Sequence, residues 1–140
     1  PTFGAAYRQL MVAALAGNRS AMKQAAMAIG YFDEHVLPTH QTAVLDMMHM
    51  ALEPLGHRGE FDFGQTDMMR RLREAGMALG LDRDFWHIPP VDTLFLHRKL
   101  GGLYLLAARL KARVNVYQLA RPFLASAAQS GLKPQRTRTL

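Results

Sequence analysis

Apolar residues return every three or four positions along almost the whole of this 140-residue chain, and no run alternates with the two-residue period of a half-buried strand. That periodicity points to an all-α fold. Glycine and proline supply the punctuation, because glycine accepts left-handed backbone while proline removes an amide and crowds the preceding helical turn. A first helix over 2–16 stops near Gly17-Asn18, and a second, capped by Ser20, ends at Gly30. A third starts after Pro38 with Thr39 as its cap and reaches Glu53, and a loop over 55–65 follows. Thr66 or Asp67 opens a fourth helix through Leu79, which Gly80 stops, and residues 81–88 lead past the lone Trp86 to Pro89-Pro90. The next helix carries Leu96, Leu100, Leu103, Ala107 and Leu110 on one continuous face and is expected to be central. Gly101 and Gly102 in its middle each cost about 1 kcal/mol relative to alanine, so the close approach of another helix is expected there. Asn115 caps a last helix that runs to Ala128 and must accommodate Pro122. The expectation is a compact bundle of five to six helices over 1–128, followed by a flexible basic tail over 129–140 that has little with which to build a core.

The length fits one domain, which at this size buries roughly two-thirds of the surface its unfolded chain exposes. The absence of cysteine excludes disulfides, thiolate metal sites and a cysteine nucleophile. The uncharged apolar stretch over 100–108 is far shorter than the about 20 residues that span a bilayer. The chain opens on Pro1 without an initiator methionine, and residues from Thr2 already read as helix rather than leader, so an artificial boundary is expected there. Charge is divided unevenly: residues 1–92 hold eight basic residues against all eleven acids, while 93–140 hold nine basic residues and no acid. A final third of that kind suits a negative field, whether from anionic membrane, an acidic protein or nucleic acid.

Asp62-Phe63-Gly64 matches the tripeptide whose aspartate holds magnesium in kinases, but its context here lacks a glycine-rich loop, a strand lysine and a catalytic loop. Phe61 and Phe63 are expected instead to anchor a loop, with Asp62 or Asp67 capping the fourth helix. In His97-Arg98-Lys99, lysine stands where a His-Arg-Asp motif needs its base. These donors suit a kinase-like lobe, an acidic partner or a lipid phosphate, or they form a solvated helix face with His97 satisfied locally. His35, His40, His49, His57, His87 and His97 include no His-Glu-x-x-His pair, and no metal site is assigned. Arg70, Arg71 and Arg73 are expected to complement a helix dipole and solvate its exposed face.

Two prolines before a helix, Phe-Leu-His-Arg-Lys over 95–99, Gly101-Gly102 in the middle and Leu-Lys-Ala-Arg over 110–113 at the exit together resemble the C-terminal helical region of the AarF/UbiB (ADCK-like) atypical kinases. The resemblance takes in the hairpin over 7–31 and the loop over 53–63 as well. It implies an intact kinase or ATPase linked to ubiquinone and isoprenoid-lipid metabolism, of which this chain is a noncatalytic helical module supporting the kinase-like core. ATP and magnesium are implied only where an upstream lobe is present. No catalytic, cofactor or metal residue is assigned to this chain. Pro89, Pro90, Gly101 and Gly102 are its structural signature, and His97, Arg98, Lys99, Arg109, Lys111 and Arg113 are candidate contacts to an anionic surface or partner. The implied partners are the kinase-like lobe of the same polypeptide, anionic membrane lipid and quinone-pathway proteins, at a cytoplasmic location peripheral to a membrane. The alternative is a freestanding helical interaction protein that uses its basic third for an acidic protein or nucleic acid. Nucleic acid has the weaker support, since no reader module or aromatic stacking pattern accompanies the charge.

Overall fold

The computed structural model describes residues 3–81 and 91–129. Its elements are α1 (Phe3–Leu15), α2 (Arg19–Ile29), α3 (Pro38–Ala51), α4 (Glu53–Gly56), β1 (Phe61–Asp62), α5 (Met68–Leu81), α6 (Val91–Arg109), β2 (Arg113–Val114) and α7 (Val116–Gln129). The fold is helical, as the periodicity requires. It adds a short helix within the expected loop and a two-residue antiparallel ladder, Phe61 opposite Val114 and Asp62 opposite Arg113. The expected tail over 129–140 lies outside the described residues from 130 onward, as do Trp86, Pro89 and Pro90.

Two glycines set the α1–α2 hairpin and its exit. At Gly17 and Gly30 the backbone is left-handed, with φ of 67° and 97°. Each is followed by the same closure: Asn18 donates to the Ala13 carbonyl at 2.9 Å and Tyr31 to the Ala26 carbonyl at 3.0 Å. The closure at Gly30 turns Tyr31 and Phe32 inward, where both are buried. Asn18, rather than Ser20, caps α2, because its Oδ1 sits one turn ahead of the Ala21 amide and accepts from it at 3.0 Å. Thr39 is not a cap either, since Pro38 already occupies the first turn of α3 and needs no amide partner. Thr66 opens α5 by accepting from the Met68 amide at 3.2 Å, and Asn115 caps α7 by accepting from Gln118 at 3.0 Å.

The main core lies among α1, α2 and α3, where Leu10, Met22, Ala26, Ile29, Phe32, Leu45 and Met48 are buried together. A second, smaller cluster gathers Phe61, Phe63 and Met68 under Tyr104, Ala107, Val114 and Val116. Helix α6 is therefore peripheral and not the central helix its apolar content predicts. Leu103 and Leu110 of the expected inner face are 63% and 70% exposed. The stripe that turns inward is Thr93, His97, Leu100, Tyr104 and Ala107, roughly 60° around the helix from the expected one. Nor does another helix approach Gly101 and Gly102: a Cβ added at either would meet nothing within 4 Å among the described residues.

Candidate interaction surface

Helix α6 is held on its inner side by polar contacts that no local motif announced. Near its start, Tyr31 lies parallel to His97 at 5.2 Å between ring centroids and its hydroxyl bonds His97 Nε2. The Tyr31 oxygen also meets the Tyr7 hydroxyl at 2.7 Å, and Tyr7 reaches Thr93 Oγ1 at 3.4 Å. Thr93 is fully buried although its neighbours Asp92 and Leu94 are exposed. Midway along, the Tyr104 hydroxyl donates to the Ala51 carbonyl at 2.7 Å, satisfying a carbonyl at the end of α3. Burial raises the Tyr104 hydroxyl to about 12, and burial with the Tyr7 contact raises Tyr31 well above the ordinary phenol range.

Desolvation lowers the His97 imidazole below its usual value, although the residue as a whole keeps substantial exposure. The neutral ring suits this site, because its Nε2 then accepts from Tyr31 while Nδ1 carries the proton. A histidine favoured as neutral in the folded state contributes stability above its unfolded pKa of about 6.5 and loses it as pH falls below that value. Urea titrations between pH 8 and 5 are accordingly expected to show wild-type stability falling on the acid side more steeply than that of His97→Gln. Identical acid-side slopes would exclude a neutral His97 as part of the α6 anchor.

At its far end α6 closes on Lys111, a non-glycine residue with φ of 50°. Lys111 donates to Ala108 at 3.1 Å and Ala112 to Ala107 at 2.9 Å, the same closure seen at the glycines. The Ala112 carbonyl then accepts from the Phe63 amide at 2.9 Å. Here the Asp62-Phe63-Gly64 tripeptide acquires structural roles. Asp62 Oδ1 accepts from the Gly64 amide at 3.0 Å, Phe63 is buried, and a Cβ on Gly64 would come within 2.9 Å of Lys111 Cβ. Loop anchoring by Phe61 and Phe63 is as expected. Asp62 turns its own loop rather than capping a helix, and Asp67 is engaged by arginines.

Arg71 does more than solvate α5. It grips Glu53 of α4 through its two terminal guanidinium nitrogens at 2.6 and 2.7 Å, and its Nε donates to Asp67 at 2.8 Å. The hydrogen bond from Arg71 is the first cause of a lowered Asp67 pKa, and that to Glu53 the first cause of a raised Arg71 pKa. Among the described residues no group of three or more histidines or carboxylates is placed to hold a metal ion.

The six candidate basic positions separate in space. His97 faces Tyr31, whereas Arg98 and Lys99 are exposed near the start of α6. Arg109 lies roughly 16 Å farther along the same helix. It and Lys111 are exposed, while Arg113 sits 3.8 Å from carboxylates of both Glu60 and Asp62. Arg113 of the acid-free final third is thus compensated by Glu60 and by Asp62 of β1, across the ladder. What the basic residues flank is apolar: Phe95, Leu103, Leu106 and Leu110 are 59%, 63%, 54% and 70% exposed along the outward side of α6. Leu119 and Phe123 of α7 are exposed as well. The sequence signal for this outward stripe is that α6 has large apolar residues on more than one side. None of the described helices is long and apolar enough to cross a membrane.

The chain matches no protein-family model. It is similar to the atypical kinase COQ8B, mitochondrial, of Rattus norvegicus, with 30% identity over 108 residues, covering 77% of this chain and 20% of that protein. Identity to the atypical kinase COQ8, mitochondrial, of Schizosaccharomyces pombe is 30% over 115 residues, or 81% of this chain and 18% of the relative. For the protein of the same name in Saccharomyces cerevisiae it is 29% over 123 residues, or 85% and 24%. The chain spans about a fifth of the length of these relatives. Their names are mitochondrial, which does not support the cytoplasmic location expected from the sequence. With the matches falling in a small C-terminal portion of proteins so named, the chain is a distant homologue of the COQ8 atypical kinases.

Proposed function

We propose that this chain is the noncatalytic helical module of a COQ8-like atypical kinase linked to ubiquinone metabolism, and that it packs the outward side of α6 against the kinase-like lobe of the same polypeptide. The observation that carries this reading is the stripe of Phe95, Leu103, Leu106 and Leu110, exposed on a helix whose inner side is already anchored. Large apolar surface of this kind marks an interaction site. Arg98, Lys99 and Arg109 border it and supply cations for anionic lipid at the edge of that contact. ATP and magnesium belong, in this reading, to the lobe.

The endogenous polypeptide, sized by immunoblot and mass spectrometry, is expected to be several times longer than 140 residues; a native product of this length would overturn the packing proposal. The purified chain is expected to show no magnesium- and ATP-dependent phosphoryl transfer, and such activity would overturn the noncatalytic role. In the longer protein, Phe95→Ser with Leu106→Ser is expected to weaken association of module and lobe at least tenfold. Within the isolated chain the same pair should move the thermal midpoint by only a few degrees, since exposed substitutions change stability by about 0.5 kcal/mol each. Salt-sensitive binding of nucleic acid, without binding to anionic vesicles, would instead support a freestanding interaction protein.

A further inference from the structure

A half-open cavity of about 580 Å³ lies where the end of α1, the α3–α4 junction, the loop before β1 and the start of α7 converge. Its volume is in the range of small-molecule sites, about 300–1,000 Å³. Its walls are divided by chemistry. Leu15, Leu55 and Phe61 are among the apolar lining residues, while His49, His57 and Arg58 supply donors.

The electrostatics of the cavity favour an anion. Glu53 is the carboxylate of the lining, and both of its oxygens are already taken by Arg71 at 2.6 and 2.7 Å. Among the described residues the side chains of His49, His57 and Arg58 make no hydrogen bond or ion pair. Two of them are nevertheless positioned. The Arg58 guanidinium sits 4.3 Å from the Tyr117 ring centroid, and the His57 ring meets Phe61 edge-on at 5.6 Å. Stacking on an aromatic face leaves the planar guanidinium fork free to take two oxygens of a carboxylate or phosphate.

We propose that this cavity binds a small soluble anion joined to a flat apolar body, an aryl phosphate or aryl carboxylate in chemical class. Arg58 takes the anionic head, His49 and His57 add donors, and the wall of Leu15, Leu55 and Phe61 receives the body. The site is separate from the outward side of α6 and stands whether or not that surface meets a kinase-like lobe.

Phenyl phosphate, inorganic phosphate and phenol, titrated into the chain and followed by amide chemical shifts, test the proposal. Phenyl phosphate is expected to bind saturably and at least tenfold more tightly than either fragment, with the largest shifts around Arg58 and Tyr117. Arg58→Gln, a change at an exposed position, should cost at least tenfold in affinity, while Arg73→Gln on α5 should cost nothing. Absence of saturable phenyl phosphate binding would overturn the proposal, and so would equal affinity in Arg58→Gln. Binding to phosphatidic acid vesicles through Arg58, with none to phenyl phosphate, would overturn the assignment to a soluble anion.

Discussion

Phe32→Ala is expected to lower the unfolding free energy by about 3–5 kcal/mol, the usual cost of truncating a buried phenylalanine. Phe32 is 1% exposed and shares its cluster with residues from all three helices of the main core. The left-handed closure at Gly30 delivers it there, so little backbone adjustment is available to refill the space. Against a total stability of about 5–15 kcal/mol, this one change consumes a large fraction. Urea unfolding should show a much lower midpoint with an unchanged slope. A loss below about 1 kcal/mol would show that the α1–α2–α3 cluster is not the stabilising core.

Met68→Ala is expected to cost about 2 kcal/mol, at the low end of the range for buried methionine. Met68 is fully buried, yet its cluster is small and bordered by partly exposed residues that can settle into the vacated volume. Its effect should also be local. Met68 supports Phe61 and Phe63, which in turn hold the ladder and the inward side of α6 near Tyr104 and Ala107. Hydrogen exchange at the Phe63 amide, which donates to Ala112, should accelerate more than exchange within α2. Phe32→Ala should instead accelerate both together, because it weakens the cooperative core. Equal acceleration in the Met68 variant would mean that the two clusters unfold as one.

The difference between those clusters was hidden from the sequence for a physical reason. A helix reports its apolar residues and their spacing, but α6 has them on several sides, and spacing alone could not say which side would be covered. Leu96, Leu100, Leu103, Ala107 and Leu110 form a valid stripe. The polar side chains Thr93, His97 and Tyr104 selected a different one by meeting Tyr7 of α1, Tyr31 just after α2 and the Ala51 carbonyl of α3. Similarly, a glycine pair can relieve crowding at a helix contact, yet Gly101 and Gly102 have open space around them among the described residues. The basic candidates were legible as residues, but the grouping of Arg113 with Glu60 and Asp62 depends on a ladder between segments some fifty positions apart.

By itself the sequence determined the helical class, the breaks at Gly17, Gly30 and Pro38, the cap at Asn115, the structural use of Phe61 and Phe63, and the resemblance that the relatives bear out. These are local properties, set by periodicity, backbone freedom and short-range hydrogen bonds. Only the tertiary structure decided the inward side of α6, the Arg71 bridge from α5 to α4, and the cavity that Arg58 and Tyr117 help to line. Each of these joins residues distant in the chain, and their contact is determined by how whole helices pack rather than by the preferences of any one segment.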